Sequence, residues 1–150
     1  MLSNGVIGNM QTLDVQGRRL DHVQVEWFDA EKQIIKLTST GGCELGVRQP
    51  HGARIQDGDV LYADDAMVIA AHIKPCVLLR VRLTDVEQAA RVGYELGNRH
   101  LPVVVANGVL EVPYDEPTAQ YLEKRGFTAE RVEGIFHGSA IAHHHHHHGK

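Results

Sequence analysis

Imidazole is the side chain with the most chemistry to offer in this sequence. The chain carries eleven histidines, six of them consecutive (His143, His144, His145, His146, His147 and His148). The other five, His22, His51, His72, His100 and His137, are scattered. A neutral imidazole nitrogen ligates late first-row metals, so a run of six reads as metal-binding sequence. Six is also the usual length of an affinity tag, yet Gly149 and Lys150 follow the run. Cys43 and Cys76 lie far apart and form no CxxC pair, so each reads as a small apolar core residue and not as a zinc ligand.

Other chemistry is missing. The sequence holds no HExxH, no GxSxG elbow and no glycine-rich phosphate loop. GGCELG around Cys43 reads as a hairpin turn entering a strand, and Asp64, Asp65 and the DGD at Asp57–Asp59 read as solvated turns. The pattern is that of a binding protein and not of an enzyme.

Two stretches of different character must position the histidines. HVQVEWF (His22–Phe28) alternates with Val23, Val25 and Trp27 on one face. IIKLTST (Ile34–Thr40), CELGVRQ (Cys43–Gln49), VLYADD and MVIAAHIK (Met67–Lys74) follow, divided by turn residues. Short strands at this spacing predict a small all-β sandwich or barrel of antiparallel strands over residues 1–74.

From Pro75 the pattern changes. CVLLRVRL (Cys76–Leu83) reads as a strand, and Thr84 with Glu87 has capping-box spacing. Val86, Ala89, Ala90 and Gly93 form a helical stripe of small residues suited to close packing on a sheet, and Gly97 reads as the left-handed helix end. LPVVVA (Leu101–Ala106), the Asn107–Gly108 turn and VLEVPY make a hairpin. Pro117 opens a helix that Gly126 ends, and ERVEGIF (Glu130–Phe136) is the last strand. The order β-α-β-β-α-β over residues 75–137 is ferredoxin-like, an α+β domain. Residues 138–150 read as a disordered His-rich tail.

Bulk properties narrow the partners. A chain of 150 residues with 43% hydrophobic content can bury a core in one or two domains. The formal net charge of −4 and the absence of a basic block argue against nucleic acid. The apolar stretches are too short to span a membrane, and no signal-like start appears, which predicts a cytoplasmic protein.

GYELGNRHLPV (Gly93–Val103) is the most specific segment. GNRH, followed two residues later by proline, resembles the signature of the UreE family of urease accessory proteins, which are nickel-delivering metallochaperones. The β-rich first half and the ferredoxin-like second half resemble that family's two domains, and a His-rich carboxy-terminal tail is common in it. The resemblance implies that His100 is the interface metal ligand of a homodimer, with a two-fold axis supplying a second imidazole. It also implies Ni(II) as cargo with Cu(II) and Zn(II) as competitors, and a urease-assembly GTPase and the apo-urease complex as recipients. His137 and His143 to His148 are expected to add ligands from the tail, at roughly millimolar effective concentration. The resemblance favours a native His run.

The chain departs from some family members in having Tyr114, Asp115 and Glu116 after the hairpin, and Glu95 before LGNRH, where those members carry extra histidines. His22, His51 and His72 read as structural or solvated. The rival reading is a two-domain protein-binding adaptor with an artificial His tail and no specific metal role.

Overall fold

A computed structural model describes residues 1–138. The chain divides into two compact units, Met1–Lys74 and the residues from Pro75 onward.

The first unit contains β1 (Leu2–Ser3), β2 (Gly8–Asn9), β3 (Arg19–Val25), a 3-10 turn at Trp27–Asp29, β4 (Ile34–Thr38), β5 (Glu44–Arg48), β6 (Asp59–Ala63) and β7 (Met67–Ile73). They form two sheets, ordered β1-β5-β4 and β2-β6-β7-β3. The expectation of antiparallel pairing holds for β4/β5, β2/β6 and β6/β7. It fails for β1/β5 and β3/β7, which are parallel. Parallel neighbours need a long crossover, and here the chain leaves β3, builds β4 and β5 in the other sheet, and returns through β6 before β7.

Strand β7 is accordingly buried on both faces, through Val68, Ile69, Ala70 and Ala71. The strand expected over His22–Phe28 stops at Val25, because Asp29 and Ala30 donate back to Glu26 and Trp27 and close a helical turn.

One buried carboxylate organises this unit. Asp21 accepts from Ser39 Oγ (2.6 Å), Thr40 Oγ1 (2.7 Å) and the backbone N–H groups of His22 (2.9 Å) and Gly41 (3.1 Å). It thereby ties β3 to the turn after β4. A Cβ on Gly41 would stand 2.7 Å from Asp21 Oδ2, so only glycine fits that approach.

The second unit contains β8 (Cys76–Arg82), α1 (Val86–Asn98), β9 (Val104–Ala106), β10 (Val109–Pro113), α2 (Glu116–Lys124) and β11 (Glu130–Gly134). The sheet runs β11-β8-β10-β9 with every neighbouring pair antiparallel, the ferredoxin-like arrangement. Leu79, Val81, Leu110 and Val112 on the sheet pack against Val92 and Leu96 of α1 and Leu122 of α2.

Three local expectations shift. The cap of α1 is Asp85, one residue later than Thr84: its Oδ1 accepts the Gln88 N–H (2.7 Å), and Gln88 Oε1 accepts that of Thr84 (2.9 Å). Asp is the stronger N-cap acceptor, and Gln88 then stands at the third helical position to answer it.

The small-residue stripe faces the sheet only in part, with Ala89 and Gly93 half-buried. Val86 is 86% exposed and Ala90 is also exposed, while Val92 and Leu96 are buried in their place. Burial follows apolar area, which the larger side chains supply.

Gly97 lies inside α1, and the left-handed residue at its end is His100 (φ 60°). Because Leu101 is drawn into the helix end, the strand expected from Leu101 begins only at Val104.

Both cysteines are half-buried at strand rims and lie outside the core, contrary to expectation: Cys43 precedes β5 and Cys76 opens β8. Gly138 is not loose tail but buried against Val104. The disorder expected for the tail, and His143 to His148 with it, lies outside the described residues.

Candidate metal centre

His100 is exposed and sits at a defined helix end. Its N–H donates to Gly97 O (2.9 Å), and that of Leu101 donates to Leu96 O (3.2 Å). This pair of bonds is the Schellman motif, with His100 at the position that demands a left-handed backbone.

The second helix provides an internal control. Gly126 donates to Glu123 O (3.0 Å) and Phe127 to Leu122 O (2.9 Å), and Gly126 has φ 86°. The same motif thus carries glycine on α2 and histidine on α1. A side chain in the left-handed region costs on the order of 1 kcal/mol, although His tolerates it better than most. Such an outlier is grounds for asking what the side chain does. The last-turn carbonyls of α1 place partial negative charge beside the imidazole, which favours a cation there.

The neighbouring polar residues already have partners. Glu95 accepts from the Tyr121 hydroxyl and lies 3.6 Å from Arg125 Nε, so it braces α1 against α2. Arg99 stacks over the Tyr121 ring, 4.1 Å from its centroid. Asp115 caps α2 by accepting the N–H (3.1 Å) and hydroxyl (2.7 Å) of Thr118, and Tyr114 donates to Glu116 (3.0 Å). Glu95, Tyr114 and Asp115 therefore serve the scaffold here.

One flank of α1 leading to His100 is largely exposed among the described residues. Val86, Ala90, Gly93 and Gly97 recur at helical spacing, with Tyr94 (72% exposed) beside them. A Cβ at Gly93 or Gly97 would meet nothing within 4 Å.

His137 is exposed between buried Phe136 and buried Gly138. Among the described residues no group of three His, Cys, Asp or Glu side chains converges into a metal cluster.

Sequence reasoning missed one histidine pair. His22 and His72 stack on adjacent β3 and β7, with ring centroids 4.5 Å apart, and His72 Nδ1 lies 3.5 Å from Asp57 Oδ1. Two strands separated by 41 positions of sequence gave no signal that they would be neighbours. His51 lies in an exposed turn. GGCELG forms the β4–β5 turn that its glycines suggested, with Gly42 at φ 91°.

A mixed-sheet β domain followed by a ferredoxin-like domain with an exposed histidine at a helix end makes this a two-domain protein of β and α+β units. The sequence models described as "UreE urease accessory protein, N-terminal domain" and "UreE urease accessory protein, C-terminal domain" match residues 4–74 and 77–150.

Among curated relatives, the urease accessory protein UreE of Flavobacterium johnsoniae is 32% identical over 133 residues, covering 88% of this chain and 81% of the relative. That of Acetivibrio thermocellus is 29% identical over 151 residues, covering 95% and 99%. That of Bifidobacterium longum subsp. infantis is 34% identical over 142 residues, covering 94% and 63%. This chain belongs to the UreE family of urease accessory proteins. No helix among the described residues is long and apolar enough to cross a membrane.

Proposed function

We propose that this chain is a cytoplasmic homodimeric metallochaperone that carries Ni(II) to urease during its maturation, with His100 as the central ligand. The observation that carries this reading is the histidine at the left-handed end of α1, where the equivalent end of α2 has glycine. A residue placed there against backbone preference, exposed and beside helix carbonyls, is suited to hold a cation.

The exposed Val86–Ala90–Gly97 flank supports a second copy as neighbour, since small residues let helices approach closely and a two-fold axis there would pair the His100 side chains. Two imidazoles leave open positions on Ni(II), and His137 together with His143 to His148 is suited to fill them. Weak and exchangeable ligands serve a cargo that must be released, and Cu(II) and Zn(II) compete for the same nitrogens. The unit over residues 1–74 then docks a protein partner, with a urease-assembly GTPase and the apo-urease complex as recipients.

The test is nickel titration calorimetry at pH 7.5 on protein ending at Ala142, with and without His100→Ala. About one nickel per dimer, lost on substitution, is the expected result. Loss of all binding on truncation alone would refute His100 as the centre, and it would leave the adaptor reading standing.

A further inference from the structure

We propose that Phe136 and Gly138 are positioning residues that clamp His137 onto the β9 edge of the sheet. The inference rests on the reading of His100 and His137 as ligands and adds how the second is placed.

Strands β11 and β9 are opposite edges of the sheet. The chain leaves β11 at Gly134, yet by Gly138 it lies against Val104 of β9. Three strand spacings separate those edges, about 14 Å. Gly134 pairs with Cys76 while Val104 is level with Glu111 and Arg80, four residues further along the sheet, so only an extended segment brings Gly138 to the Val104 side chain.

It crosses the face away from the helices. Val104 stands opposite Glu111, whose neighbours Leu110 and Val112 belong to the helix-side core, and Phe136 is not part of that core.

Two contacts pin the crossing. Phe136 is 1% exposed. A Cβ on Gly138 would stand 2.9 Å from Val104 Cγ2 and closer still to the Phe136 ring, so the backbone passes where no side chain fits. His137, between the two, is turned to solvent. The His137 backbone is therefore held beside the strand that starts four residues after His100, and the residue does not have to be recruited from a swinging tail. Pre-placing a ligand removes part of the ordering entropy of binding, an effect of about three- to tenfold in affinity.

The test uses the full-length chain with His143 to His148 replaced by asparagine, so that only the remaining histidines report. Nickel affinity is read by chelator competition, and imidazole ligands are counted by X-ray absorption. Gly138→Ala, with Phe136→Leu as a second disturbance, is expected to weaken binding three- to tenfold and to remove one imidazole from the bound metal. Both variants disturb a buried contact and should lower the thermal midpoint, but in nickel affinity they should add nothing to His137→Ala. Wild-type binding by Gly138→Ala, or weakening that adds to that of His137→Ala, would overturn the clamp. Binding that survives His100→Ala would overturn the metal reading itself, and the clamp with it.

Discussion

Replacing His100 with glycine is expected to make the protein more stable and to abolish its nickel site, and the size of the first effect follows from the backbone. At φ 60° a side chain costs about 1–2 kcal/mol, at the low end for histidine. Glycine removes that strain but has about 0.4–1 kcal/mol more unfolded-chain entropy to lose. With about 1 kcal/mol of strain relieved, the net gain is about 0–0.6 kcal/mol, or up to about 5 °C in the midpoint of a domain this size.

Gly126→His makes the converse exchange on α2. A Cβ at Gly126 meets nothing within 4 Å, so backbone strain is its only expected penalty, a loss of similar size. Thermal unfolding in the presence of a chelator reads both variants, and calorimetry reads nickel. If His100→Gly is less stable than wild type, the argument that histidine is held there against backbone preference fails. If it still binds nickel at the wild-type level, His100 is not the ligand.

Three further outcomes are expected. The Asp21 carboxyl is held far below the usual carboxylate range, first by the Ser39 and Thr40 hydroxyls and then by the His22 and Gly41 N–H groups, against the opposing effect of burial. A depressed carboxylate stabilises the fold above the unfolded value of about 3.9, and that contribution is lost as pH falls. Asp21→Asn should therefore narrow the difference between urea midpoints at pH 7 and pH 3, and an undiminished difference would assign acid sensitivity elsewhere. Gly41→Ala pushes a methyl into the same carboxylate and should cost about 1–3 kcal/mol in urea unfolding, with no change in nickel binding. Ala90→Arg, in the middle of the exposed α1 flank, should give monomers in sedimentation and halve the imidazoles per bound nickel; unchanged dimers would place the two-fold contact on another face.

The strands and helices of the second unit were largely readable, because their signals are local. Pro117, Gly126 and the Asn107–Gly108 turn each act through the backbone freedom of one or two residues, and the structure uses all of them as such. The face presented by α1 was misread because small residues can serve either close packing or open surface, and periodicity does not separate the two. The end of α1 was misread for a related reason: glycine is the usual left-handed residue, and Gly97 drew the assignment from His100 three positions on. In the first unit, alternation located the strands but carried no record of their neighbours. The parallel β3/β7 pair and the stacked His22 and His72 follow from a crossover that local pattern does not encode.

The sequence by itself determined the two-part division of character, the β-α-β-β-α-β order and the family, since these depend on residue type and short-range spacing. Only the tertiary structure decided that His100 occupies a glycine position, that Glu95 is committed to Tyr121 and Arg125, and that Gly138 lies against Val104. Those are contacts between segments distant in the chain. They are set by how area is buried and how backbone groups are satisfied in three dimensions, and a one-dimensional pattern carries neither.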